Sequence, residues 1–85
     1  MSYIVYILRC SDDTLYTGIT NNLERRIAQH NSGTGAKYTR GRCPVYLVYT
    51  EECASHSMAL KREIALKKLS RQKKEELITK AKSKI

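Results

Sequence analysis

The stretch Tyr16–His30, YTGITNNLERRIAQH, begins as a strand and ends as a helix, with a glycine at the joint. Tyr16, Thr17 and Gly18 close a β-prone run, and Gly18 permits close approach to the backbone. Asn21 suits a helix N-cap, and Glu24 follows at capping-box spacing. From Leu23 onward the helical period puts Leu23 and Ile27 on a buried stripe, while Arg26 and His30, four apart, share one column at its edge. Glu24, Arg25 and Gln29 take the outer faces. A tyrosine leaving a strand therefore stands near an arginine and a histidine on the next helix, groups that grip and work on a phosphate. An ordinary β–α unit with a surface Arg–His pair has the same pattern.

Working outward toward the N-terminus, Tyr3–Arg9 (YIVYILR) is apolar on both faces and rich in β-branched and aromatic residues, the mark of a central strand covered on each side. Cys10–Thr14 (CSDDT) is turn chemistry, so residues 15–19 return as the second arm of a hairpin. Tyr6 lies in the first arm and Tyr16 in the second, and suitable register brings both hydroxyls to one end of the sheet.

Toward the C-terminus, Asn31-Ser32-Gly33 stops the helix. The next segment, residues 33–44 (GTGAKYTRGRCP), sets Lys37, Arg40 and Arg42 around Tyr38 among three glycines. Cations interleaved with an aromatic suit a nucleic-acid strand, through phosphate contacts and base stacking, and a solvated connecting loop has a similar composition. Residues 45–50 (VYLVYT) form a third strand, after which Ser55 or Ser57 caps a second helix around MALKREIALKKL, and a last helix starts near Ser70. Leu77, Ile78, Ala81 and Ile85 form its apolar stripe. The order is β-β-α-β-α-α: one α+β domain over residues 1–85, a three-stranded antiparallel sheet flanked by helices.

Glu63 is the most informative carboxylate. Its helical neighbours at three and four positions are Ala59, Leu60, Leu66 and Lys67, so an acid sits in an apolar patch of a basic helix. A Glu63–Lys67 ion pair and an inward-facing functional carboxylate both fit that spacing. Charge is otherwise lopsided. The 85-residue chain carries 16 Lys+Arg against 8 Asp+Glu, and residues 61–85 hold ten Lys/Arg and three Glu, so +7 of the net +8 falls there. An anionic partner follows, nucleic acid or an acidic membrane surface, although a solvated basic face looks alike. No apolar run approaches the ~20 residues that span a bilayer, and the N-terminus lacks a signal-peptide pattern. Cys10, Cys43 and Cys53 form no CxxC pair, and only His30 and His56 are available to complete a zinc site. Reduced thiols and a cytoplasmic location are expected.

These residues resemble the GIY-YIG endonuclease domain family. Ile4-Val5-Tyr6 stands where the GIY triplet would be, Tyr16-Thr17-Gly18 where YIG would be, and Asn22-Leu23-Glu24-Arg25-Arg26 is similar to the NLxxR segment that follows. The resemblance covers nearly the whole chain, which looks like one of the small stand-alone members of uncharacterised function. It implies that Arg26 takes the family's arginine position, His30 a histidine position found in several members, and Glu63 the metal-binding glutamate. Departures are Ile4 for the first glycine, Thr17 for the central apolar residue, Ile19 where some members have lysine, and no asparagine beyond Asn31.

The resemblance also implies a chemistry. Hydrolysis of a phosphodiester needs an activated water, charge relief on the phosphorus oxygens and help for the leaving alkoxide. One Mg²⁺ held by Glu63 and several waters fits, and Arg26 offers a planar fork to the phosphate. The family suggests Tyr16 or Tyr6 as base; a free tyrosine ionises near pKa 10, so either needs electrostatic help at neutral pH. His30 is the alternative base, or orients a tyrosine hydroxyl or the phosphate. The expectation is Mg²⁺-dependent cutting of one DNA strand at structured or damaged sites, as in repair or recombination. Two alternatives stand beside it: a module that binds nucleic acid without cutting, and a nuclease subunit that needs a protein partner.

Overall fold

A computed structural model describes residues 2–35 and 39–82. Lys37 and Tyr38, and Ile85 of the last apolar stripe, lie outside the described residues. The elements are β1 (Tyr3–Arg9), β2 (Leu15–Thr20), α1 (Leu23–Asn31), β3 (Tyr46–Cys53), α2 (His56–Lys67) and α3 (Arg71–Lys82). The three strands form one antiparallel sheet in the order β2-β1-β3, so the doubly apolar β1 is central, as its composition requires. Val5, Tyr6, Ile7 and Leu8 are all buried, alternating between the two faces.

The β1–β2 turn is held by its own side chains. Asp12 Oδ1 accepts from the Thr14 N–H and hydroxyl, while Asp13 adopts a positive φ of 69°, a conformation aspartate tolerates better than most residues. The turn sets the register Tyr6↔Gly18 and Leu8↔Tyr16. Tyr6 and Tyr16 are therefore diagonal neighbours on one face, with ring centroids 6.4 Å apart.

Two sequence expectations shift. The N-cap of α1 is Asn22, not Asn21: Asn22 Oδ1 accepts from the Arg25 N–H at 3.1 Å. Thr20 decides this, because its hydroxyl accepts from the Asn22 N–H and donates to the Asn22 carbonyl, fixing Asn22 as the entry residue. Glu24 then stands one position too early for a capping box, and its charge favours the helix N-terminus instead. The third strand begins at Tyr46 and runs to Cys53, beyond the expected Thr50, because Tyr3, Ile4 and Val5 of β1 pair with Cys53, Glu52 and Glu51. Val48 is the extra residue where the β1–β3 register shifts between Ile7 and Leu8.

Tyr6, Leu8, Cys10 and Val45 form one core with Tyr16, Leu23 and Ile27 of β2 and α1. The opposite face packs Val5 against Ala59 and Leu66 of α2, joined by Ile19, Tyr49, Leu69 and Leu77. Ser55 caps α2 by accepting from the Met58 N–H, and Ser70 does the same for α3 through Lys73. Arg9 at the end of β1 grips Glu75 of α3 through two hydrogen bonds of 2.6 and 3.1 Å. That grip, with Arg71 beside it, holds the Glu75 carboxyl down to about 2. No helix among the described residues is long and apolar enough to cross a membrane.

Candidate active site

Gly18 creates the space around which the site is built. A Cβ at this position would lie 2.6 Å from the Tyr6 hydroxyl oxygen and 2.8 Å from its ring carbon Cζ. Without it, the Tyr6 side chain lies flat across β2 and its hydroxyl reaches α1. There it meets Nε2 of His30 at 2.9 Å, and His30 Nδ1 in turn meets the Thr39 hydroxyl at 2.8 Å. All three side chains are buried. Burial, and then the charge of Arg26, push the His30 pKa below its ordinary value, so the ring is neutral at physiological pH. A neutral imidazole donates at one nitrogen and accepts at the other. The Tyr6–His30–Thr39 chain is therefore directional, and whichever way the protons run each hydrogen bond is satisfied.

The loop after α1 closes over His30. A Cβ on Gly35 would lie 2.6 Å from His30 Nδ1, so this glycine lets the backbone press on the ring. Cys43 donates its S–H to the His30 carbonyl at 3.0 Å, and Asn31 receives the Val45 N–H at 2.7 Å while donating to the Val45 carbonyl. His30 is thus no surface residue. The end of α1 and the start of β3 are tied together around it.

Tyr16 is half-buried and packs its ring 5.2 Å from that of His30. Arg26, also half-buried, interacts with the hydroxyls of Tyr6 and Tyr16, chiefly Tyr6, and this raises the guanidinium pKa further. The Tyr6 hydroxyl is pushed up by burial, and by the neighbouring Tyr16 and Glu63, against the pull of Arg26. Beside Arg26 a polar hollow of about 170 Å³ opens, lined by Thr20, Asn21, Asn22, Arg25 and Gln29. Two guanidinium groups, Arg25 and Arg26, at the wall of a polar hollow are suited to hold a phosphate.

Glu63 projects from α2 between Ala59 and Leu66, with its side chain 16% exposed, and its charge is felt at Tyr6. Lys67, one turn on, places its ammonium 3.4 Å from the carboxylate. The ion pair that the spacing allowed is therefore present, on a carboxylate whose charge also reaches Tyr6. Among the described residues no group of three His, Cys, Asp or Glu gathers to hold a metal. A single hard, partly shielded carboxylate fits Mg²⁺, which keeps most of its waters and takes few protein ligands.

The structure thus brings Tyr6, Tyr16, Arg26, His30 and Glu63 into one neighbourhood. Arg40 is exposed on the loop, and Arg42 is committed to Asp12 of the β1–β2 turn at 2.9 Å. Thr39 was missed by sequence reasoning. It sits in the loop read as basic, and the signal for it was Gly35, a glycine placed where only its lack of a side chain lets the loop return to α1.

Residues 2–76 match the GIY-YIG catalytic domain family. The chain is 59% identical over 76 residues to a UPF0213 protein of Natronomonas pharaonis, covering 89% of each. It is 58% identical to a UPF0213 protein of Clostridium perfringens, over 93% of this chain and 84% of that one. The solution NMR structure of a UPF0213 protein from Bacillus halodurans superposes with a TM-score of 0.60 at 51% identity, over 93% of this chain and 84% of the other. A protein of E. faecalis solved the same way gives 0.65 at 46% identity, over 94% and 85%.

Proposed function

From the premise that this chain belongs to the GIY-YIG catalytic domain family, we propose that it is a Mg²⁺-dependent nuclease that hydrolyses a phosphodiester in one strand of DNA. The observation that carries this reading is the buried Tyr6–His30–Thr39 chain with Tyr16 and Arg26 gathered at its end. A run of three buried polar side chains costs stability unless each is paired, and its position behind a tyrosine and an arginine gives it a purpose.

The roles divide by exposure. Tyr6 is buried, its hydroxyl is held by His30, and burial keeps its proton on, so Tyr6 and His30 position rather than react. Tyr16, half-buried where Tyr6 is fully buried, is the more accessible of the two and takes the part of the base, accepting a proton from the attacking water. Arg26 binds the scissile phosphate from the polar hollow and offsets the charge that builds on its oxygens. Glu63 would hold the divalent ion, whose bound form supplies charge relief on the phosphate and a lowered pKa for nearby water or hydroxyl. The exposed Arg40 and the lysines of α2 and α3 add affinity without sequence readout.

The test is a panel of nicked, branched and single-stranded DNA incubated with purified protein, with and without Mg²⁺, for wild type and Glu63→Gln. Cutting by wild type with Mg²⁺, lost in Glu63→Gln, is the expected result. Cutting that ignores Mg²⁺, or that survives Glu63→Gln, counts against the assignment. One observation favours a second reading, a module that binds without cutting: Glu63 already has a partner in Lys67. That reading predicts binding that weakens steeply with salt and no cleavage of any substrate on the panel.

A further inference from the structure

Among the described residues, Lys67 is the cation paired with Glu63. Arg62, the nearer cation in sequence, is committed elsewhere: its Nε donates to Glu51 of β3 at 2.6 Å, and Tyr49 donates to the same carboxylate at 2.7 Å. Glu63 and Lys67 are unequally placed. The carboxylate is held in a mostly apolar setting between Ala59 and Leu66, whereas the Lys67 side chain is 53% exposed. Their separation of 3.4 Å is well beyond the 2.7–2.9 Å of a tight charge-assisted hydrogen bond. The acid is therefore fixed, and the ammonium is a loosely held point charge on a flexible stem.

We propose that Lys67 is the resident counter-ion of Glu63, and that it couples metal binding to nucleic-acid binding at this site. The inference rests on the reading of Glu63 as a metal ligand. A divalent cation and an ammonium cannot both sit against one carboxylate oxygen without repelling each other. A metal taken at Oε2, the oxygen that Lys67 holds, displaces the ammonium, and its exposed stem allows that. The anion nearest to hand is then a phosphate of the bound strand. Each step favours the other: the strand draws Lys67 away from Glu63 and exposes the carboxylate, and the metal frees Lys67 for the strand. Linkage requires the effect to be reciprocal and equal in both directions.

The test uses binding alone. Mg²⁺ is titrated calorimetrically into the full chain, with and without a short DNA duplex carrying non-cleavable linkages, for wild type, Lys67→Met, Lys68→Met and Glu63→Gln. Lys67→Met keeps the stem and removes the charge; Lys68→Met removes the same charge from an exposed neighbour. Without DNA, Lys67→Met should bind Mg²⁺ about two- to five-fold more tightly than wild type, the range expected for losing a partly shielded i,i+4 competitor. Lys68→Met should change little. DNA should tighten Mg²⁺ binding in wild type by a similar factor, and that gain should shrink in Lys67→Met. Equal effects of the two lysine variants would reduce Lys67 to a general field and overturn the proposal. Unchanged or weaker Mg²⁺ binding in Lys67→Met, with binding lost in Glu63→Gln, would also overturn it while leaving the metal assignment intact. Wild-type Mg²⁺ affinity in Glu63→Gln would remove both.

Discussion

On one side of β1, Tyr6 and Leu8 meet α1; on the other, Val5 and Ile7 face α2 and α3. The two faces come from one strand of seven residues, yet they are filled differently. The α2 face is mostly apolar: Val5, Ala59 and Leu66 are fully buried, the ties Arg9–Glu75 and Arg62–Glu51 stay at its rim, and the Thr17 hydroxyl, opposite Ile7, is buried without a hydrogen-bond partner among the described residues. The α1 face buries a histidine, a threonine hydroxyl and a tyrosine hydroxyl, the two hydroxyls each hydrogen-bonded to one ring nitrogen of the histidine. A small domain has little apolar area to spend. Placing polar groups in half of its core makes sense where the geometry they hold matters more than the stability they give up, so the α1 face carries most of the site, and α2 adds to it through Glu63.

Variants on the two faces should separate cleanly. Tyr16→Phe leaves the ring in place and removes only the hydroxyl, so single-turnover cleavage should fall about 10²- to 10⁴-fold with little change in the melting temperature. A large loss of stability instead would make Tyr16 a core residue like those opposite. Leu66→Ala should weigh first on the fold, costing ~2–5 kcal/mol in denaturant unfolding through loss of buried area and the cavity left behind, with cleavage per folded molecule falling far less than in Tyr16→Phe, only as the seat of Glu63 loosens.

Tyr6→Phe tests whether the division is absolute, because Tyr6 is both core and site. The change strands His30 Nε2 without its partner and should cost ~1–3 kcal/mol while also slowing cleavage. Activity unaffected at that cost would confine Tyr6 to packing.

The smallest expected effect is a pH slope. The His30 pKa lies below its ordinary value of about 6.5, so the unfolded chain binds the extra proton first. Its contribution to stability is complete above that value and is lost as pH falls through the depressed folded pKa. Melting followed from pH 7.5 to 5 should show this decline in wild type and in Leu66→Ala alike, and lose part of it in His30→Gln. An unchanged slope in His30→Gln would detach His30 from the acid sensitivity of the fold.

The order of elements was legible because periodicity and turn chemistry agree along most of the chain. Tyr3–Arg9 could only be a central strand, and Leu23 with Ile27 could only be an inward stripe. What local patterns missed was decided across the sheet or by a single side chain. Glu51 and Glu52 look like the end of a strand, but the first residues of β1 need partners and pull them into the ladder. Asn21 reads as the cap from its spacing to Glu24, and the hydroxyl of Thr20 shifts the cap one residue on, to Asn22. At the site, Tyr6, Tyr16, Arg26, His30 and Glu63 were named from helix and strand spacing together with family likeness. The burial of His30 was not readable, since a histidine at the edge of a stripe is buried only if a loop closes on it, and the loop's return depends on Gly35 and Thr39, far from any periodic pattern.

Gly18 has one more consequence. The volume a side chain would need at position 18 is already filled by the oxygen and ring of Tyr6. The two positions are thus one choice made twice: a ring at 6 requires glycine at 18, and any larger residue at 18 requires that the ring be given up. A chain drifting by single substitutions cannot leave this arrangement through position 18 first. It must first lose Tyr6, and with it the hydroxyl that anchors His30. Divergence at this corner of the fold is therefore expected to be ordered in time, with the site dismantled before the strand is free to change.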